Sequence, residues 1–296
     1  MPSRLRISAI SFLNTAPLMW DFDHGELRKR FTIHYTLPSL CAQELRAGIA
    51  DIGIIPVIAY QTIPDLLVIP GVSIAANGPV KSILLICKKP LDQVKTVATD
   101  SSSRTSVALA RVMFRKWLGG QRQFTAMEPN LDVMLQHSDA ALIIGDPALT
   151  VDHSRYLCFD LAEEWHKHTG KPFVFAFWAV RAAALAGRAD YKDLAELFQR
   201  SRDHGLEHVP ELAREWAHRV GISEADVESY LTRSIDYSLD AGKLEGMRLF
   251  FEYATETGVL PAVRPLEFLG QGGGLGSALA GAGWIASLGT VLGNLN

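Results

Sequence analysis

Only three cysteines, Cys41, Cys87 and Cys158, are spread over 296 residues, and no CxxC pair occurs. An odd count without paired spacing excludes a disulfide framework, and the apolar setting of each predicts an ordinary buried thiol. No stretch concentrates Lys and Arg. The formal net charge is −3, with both signs scattered, so the basic face that nucleic acid requires is missing. The chain has no GxSxG elbow and no GxGxxG fingerprint, which leaves hydrolase and dinucleotide readings without support. HExxH is absent too. His166 and His168 stand two apart and do not share a helix face, so an exposed helix end is expected there, with no metal. Arg4 and Arg6 before Ile7–Leu13 imitate a signal peptide. However, Asn14 and Pro17 interrupt the apolar run and no small-x-small cleavage site follows. A cytoplasmic protein without stable membrane association is expected.

What is present is ample apolar material. Hydrophobic residues make up 48% of a chain that is long for one core, so two lobes are expected. Strand patterns at 6–11, 31–37, 52–55 and 67–69 alternate with helical ones at 17–20, 39–47 and 57–61, a βαβ rhythm that implies a mostly parallel sheet. A second set runs from 96–99 through a helix at 103–117, an extended stretch at 124–127, a helix at 131–137 and a strand at 141–144. Residues 191–257 read as helical, broken near Gly205, Pro210 and Gly221. The apolar runs Ile83–Cys87 and Phe173–Val180 are read as strands crossing between lobes. This assigns 1–88 and 179–268 to lobe one and 89–178 to lobe two. Residues 269–296 form a glycine-rich tail, in which nine glycines and no charge lie between Gly270 and Asn296.

Four segments share one design, an apolar strand followed by a polar turn and a helix start: Ser11–Pro17, Asp51–Pro56, Thr99–Ser106 and Ile143–Pro147. In open parallel sheets such turns sit at the carboxyl ends of strands, where ligands bind. Ser103, Thr105 and Ser106 place hydroxyls at a helix start whose free N–H groups favour an anion. The lack of glycine there fits a carboxylate better than a triphosphate. Arg104 is positioned to pair with such a carboxylate or to lie on the surface. Gly145-Asp146-Pro147 reads as Asp146 at the N-cap and proline at the first helical position. Asn14 should face the cleft, where its amide can donate and accept, and Ser82 should lie at the cleft floor.

Taken together, the strings Ser11-Phe12-Leu13-Asn14-Thr15-Ala16-Pro17-Leu18, Asp51-Ile52-Gly53 and Gly78-Pro79-Val80-Lys81-Ser82 resemble the chorismate dehydratases. So do Ser103-Arg104-Thr105-Ser106-Val107, Ile144-Gly145-Asp146 and Thr169–Ala176, in family order over about 4–268. The glycine-rich tail is outside that pattern. The resemblance implies an α/β, two-lobed, type II periplasmic-binding-protein-like fold with a central ligand cleft. It implies a cofactor-independent hydro-lyase of the futalosine route to menaquinone, which converts chorismate to 3-[(1-carboxyvinyl)oxy]benzoate and water. It places Asn14 and Ser82 in the active site as catalytic candidates and Ser103, Thr105 and Ser106 where the substrate carboxylates bind. The residues themselves add Asp146 as a catalytic candidate and Arg104 and Gly145 as substrate-binding candidates. For the proton-abstracting base, Asp146 and the substrate's own side-chain carboxylate both stay open. The sister 1,4-dihydroxy-6-naphthoate synthase has a Cys/Pro-rich opening that Phe12-Leu13-Asn14 lacks. A non-catalytic binding protein for a small carboxylate would share the fold but need a secretion signal. The sensor domain of a regulator would need a DNA-binding module.

Overall fold

The computed structural model describes residues 4–270, the side chain of Asp190 excepted. The rest of the glycine-rich tail, 271–296, lies outside the described residues. Two five-stranded sheets form the frame. The first holds β1 (Leu5–Ile10), β2 (Phe31–Thr36), β3 (Ile52–Pro56), β4 (Leu66–Ala76) and β10 (Phe173–Arg181), in the order β2-β1-β3-β10-β4. The second holds β5 (Ile83–Cys87), β6 (Thr96–Asp100), β7 (Gln123–Met127), β8 (Ala140–Ile144) and β9 (Leu157–Asp160), in the order β7-β6-β8-β5-β9. β1 pairs parallel with β2 and β3, and β6 with β7 and β8. In each sheet the strand that arrives from the other sheet is the reversed one: β10 is antiparallel to β3 and β4, and β5 to β8 and β9. The carboxyl ends of the remaining strands therefore meet the amino ends of β5 and β10, and both crossings run past the same region.

This corrects the expected lobe boundaries. Ile83–Cys87 belongs to the second sheet and Phe173–Val180 to the first, so the chain crosses at 77–82 and 161–172, before each of these strands. The physical reason is pairing. All of β5 is buried between β8 and β9, and β10 between β3 and β4. A strand hydrogen-bonded on both edges cannot also serve as the connector; the turn Asn77-Gly78-Pro79 does. Asp160 ties the two crossings together. Its Oδ2 accepts from the N–H groups of Val80 (2.9 Å) and Lys81 (2.6 Å), and its Oδ1 from Ala162 and Glu163 at the next helix start. Lys81 has φ 65°, a left-handed conformation costly for a residue with a Cβ.

The longer helices among the described residues are α1 (Pro38–Ala47), α2 (Thr105–Lys116), α3 (Leu131–His137), α4 (Leu161–Thr169), α5 (Leu194–Glu207), α6 (Val209–Val220), α7 (Glu224–Ser229) and α8 (Ala241–Glu256). β4 runs through Pro70-Gly71, well past the expected 67–69. The expected break near Gly205 and Pro210 falls at His208, and Gly205 itself lies inside α5. A Cβ there would lie 2.0 Å from the Pro17 carbonyl oxygen, so the glycine lets α5 press against the segment after β1. Cys41 and Cys87 are buried free thiols and Cys158 is half-buried. Burial pushes the Cys41 and Cys87 thiols up to about 12. No helix of the described residues is long and apolar enough to cross a membrane.

Candidate active site

The strand-end turns converge as the βαβ rhythm requires. Leu13–Met19, after β1, forms a 3₁₀ segment that carries Asn14. α2 starts at Thr105 with Arg104 as its N-cap, and Gly145 precedes a single helical turn, Asp146–Leu149. Between the sheets lies a narrow cavity of ≈ 60 Å³. Its polar wall is Asn14, Ser103, Arg104, Thr105, Ser106 and Gly145, and Phe12 and Phe175 supply ring faces. Ser82 and Asp146 do not line it. They stand behind Asn14, Ser82 fully buried and Asp146 half-buried.

Asn14 connects to Ser82 through a residue that the sequence did not single out. The Tyr230 hydroxyl, fully buried, donates to Ser82 Oγ at 2.7 Å. The Asn14 carboxamide lies close to the same phenol, and its Oδ1 accepts from the Thr15 hydroxyl at 3.3 Å. Burial raises the Tyr230 pKa, and the nearby Asp146 adds to it, so the phenol stays protonated. Tyr230 opens a short π-helical turn, Tyr230–Ser234, an irregularity often found at functional sites. Nothing in its neighbours in the sequence marks it. Its importance comes from a contact 148 residues away.

Asp146 is not a cap. Gly145 occupies that position, with φ 68° and the Phe12 ring 2.6 Å from where a Cβ would sit. Asp146 Oδ1 instead accepts from the Leu13 N–H at 2.9 Å, which joins the second lobe to the residue before Asn14. Burial raises this carboxyl to about 6, against the opposing hydrogen bond from Leu13. The Gly145 N–H donates to the Ser82 carbonyl at 2.8 Å and is therefore not free for a ligand.

The hydroxyl segment divides by role. Thr105 is saturated: its hydroxyl donates to the Phe175 carbonyl at 3.1 Å and accepts from the Ile58 N–H at 3.4 Å, linking the lobes. Ser103 Oγ is buried without a partner. Ser106 is buried in the cavity wall, and Arg104 is exposed at its rim. Helix geometry supplies no acceptor for the N–H groups of the first turn of α2. A carboxylate placed there meets Ser103, Ser106 and the positive end of a twelve-residue helix. Among the described residues no group of three or more His, Cys, Asp and Glu is placed to hold a metal ion.

Known proteins resemble this arrangement at two levels. In fold, the chain is similar to a protein of Archaeoglobus fulgidus (TM-score 0.67, 15% identity, 87% of this chain and 98% of that one). It is similar also to the periplasmic aliphatic sulphonate binding protein of Escherichia coli (TM-score 0.60, 17% identity, 88% and 95%). The fold is periplasmic-binding-protein-like. In sequence, it is 28% identical to the chorismate dehydratase of Thermus thermophilus over 260 residues, 81% of this chain and 92% of that protein. It is 27% identical to the chorismate dehydratase of Campylobacter jejuni over 180 residues, 60% of this chain and 64% of that protein. The family model described as menaquinone biosynthesis matches residues 5–256, a span that contains both sheets, both crossings and every residue of the site. The chain belongs to the menaquinone biosynthesis family.

Proposed function

We propose that the chain is a cytoplasmic, cofactor-independent chorismate dehydratase that forms 3-[(1-carboxyvinyl)oxy]benzoate and water, in the futalosine route to menaquinone. The observation that carries this reading is the line Asn14–Tyr230–Ser82, a chain of neutral hydrogen-bonding groups set opposite the anion-ready start of α2. The reaction needs both. The proton to be lost sits on the ether-bearing ring carbon, vinylogous to the ring carboxylate. Donors at Ser103, Ser106 and the first turn of α2 take up the charge that develops on that carboxylate. The neighbouring C–O bond then breaks, the hydroxyl leaves with a proton as water, and the ring becomes aromatic.

In this reading Asn14 touches the departing hydroxyl, and Tyr230 and Ser82 fix the rotamer of its amide. Asp146, behind the cavity wall and bonded to the Leu13 N–H, is a positioning residue. The base is the substrate's own side-chain carboxylate, which swings toward the proton. A cavity of ≈ 60 Å³ holds a few waters at about 10–15 Å³ each and not a ten-carbon dicarboxylate. Substrate therefore enters when the lobes part, and closure excludes solvent during the reaction. Incubating purified protein with chorismate and separating the products by chromatography tests the reading. Loss of chorismate with equimolar enolpyruvyl benzoate is expected, and unchanged chorismate overturns it.

A further inference from the structure

A second cavity is much wider than the cleft cavity. It measures ≈ 640 Å³ and lies where α1 of the first lobe faces α2 of the second. Four arginines border it, Arg46, Arg104, Arg111 and Arg115, and no aspartate or glutamate does. None of the four has a carboxylate partner among the described residues. Arg46 donates to Thr62 Oγ1 at 2.6 Å, Arg115 donates to the Thr257 carbonyl, and Arg111 lies 4.6 Å over the Phe124 ring. Burial, and after it the nearby Arg115, lower the Arg111 pKa. Guanidinium groups gathered without a counter-charge repel one another, and the positive end of α2 adds to the field. Ser103, whose buried hydroxyl has no partner, is part of the same wall.

We propose that this cavity is a second anion site, which takes a small molecule bearing two or more carboxylate or phosphate groups. Guanidinium forks match both oxyanions, and the volume exceeds what a single inorganic ion fills. The occupant would straddle the lobes, held by Gln43 and Arg46 from α1 and by Arg104, Arg111 and Arg115 from the second lobe. Because Ser103 and Arg104 also line the cleft cavity, the two sites share a wall. The inference goes beyond the dehydratase reading and stands without it.

The test is calorimetric titration of the full chain with citrate and with inorganic pyrophosphate, at ionic strength matched with sodium chloride. Saturable binding of one equivalent of either is expected. Preference for citrate assigns the site to carboxylates, and preference for pyrophosphate to phosphates. Arg46→Gln/Arg111→Gln should weaken binding at least tenfold, the loss of one charge-assisted hydrogen bond or more. Gln43→Glu, which keeps every arginine and adds a carboxylate at the wall, should do the same, with thermal melting of each variant confirming its fold. Binding no stronger than the chloride control, or variants that bind like the parent protein, would overturn the proposal.

Discussion

The Tyr230 hydroxyl donates to Ser82 Oγ at 2.7 Å, fully buried, and so fastens the helical C-terminal region to the last residue of the first crossing. The Asn14 carboxamide lies close to the same phenol. Three segments remote in sequence thereby become one polar unit at the cleft floor.

Tyr230→Phe removes the hydroxyl and little volume. Ser82 loses its partner, and the Asn14 amide loses a polar neighbour that limits its rotation. Since a misplaced group costs more in the transition state than in binding, turnover of chorismate should fall about 10- to 100-fold with the Michaelis constant changed little. Steady-state kinetics beside a melting curve measures this. A fall in melting temperature with full turnover would make the tyrosine purely structural.

Ser103 and Thr105 should respond oppositely to loss of the hydroxyl. The Ser103 hydroxyl has no partner, and an unsatisfied buried polar group costs about 1–3 kcal/mol. Ser103→Ala should leave the unliganded protein as stable or more so, yet weaken substrate binding roughly tenfold, as one lost hydrogen bond to a charge requires. Thr105→Val breaks the bridge to Phe175 and Ile58 and should destabilise the protein by about 1–2 kcal/mol. Denaturant melts and equilibrium titration separate the two patterns. Equal behaviour of the variants would contradict the division of roles.

Much of this architecture was legible in advance because the signals are local. Apolar runs such as Ile52–Pro56 and Ala140–Ile144, each ending in a turn and a helix start, announce parallel strands and ligand-facing turns without any tertiary knowledge. Sheet membership was not legible. Ile83–Cys87 and Phe173–Val180 are wholly apolar, and periodicity carries no information about which neighbour a fully buried strand pairs with. Asp160 and Tyr230 were missed for a related reason. Asp160 serves as an N-cap. Its second role, holding the backbone of Val80 and Lys81, depends on a crossing 80 residues earlier. The hydroxyl-rich start of α2 was recognised as a unit, but the sequence cannot tell a saturated Thr105 from an orphaned Ser103. That distinction lies in what the other lobe presents.

Asn14 is the one catalytic candidate in the cavity wall. Asn14→Ala and Asn14→Asp should both lower turnover by about 100- to 1000-fold, the loss usual for one transition-state donor. The aspartate should also raise the Michaelis constant, because it sets a negative charge beside a dianionic substrate. If both variants melt normally and turn over within about twofold of the parent, far inside the expected loss, the residue only shapes the turn.

Asp146 gives the pH-dependent prediction. Burial lifts its carboxyl from 3.8 to about 6, so the folded protein holds a proton that the unfolded chain releases. Between pH 4 and 6 the native state therefore binds more protons than the unfolded state, and stability falls as pH rises through that window. Above it the ionised carboxylate weakens the fold by roughly 3 kcal/mol, at about 1.4 kcal/mol per unit. Asp146→Asn keeps an oxygen for the Leu13 N–H and carries no charge. It should match the parent protein near pH 4 and exceed its stability by that amount at pH 7–8, as urea melts across the range would show. Turnover separates positioning from proton abstraction. If Asp146 only holds Leu13, and through it Asn14, the variant keeps its rate within about tenfold and loses any limb of the pH profile near 6. Removal of a general base costs about 100- to 10,000-fold. A loss of that size in a variant that is also more stable would move the base from the substrate's carboxylate to Asp146.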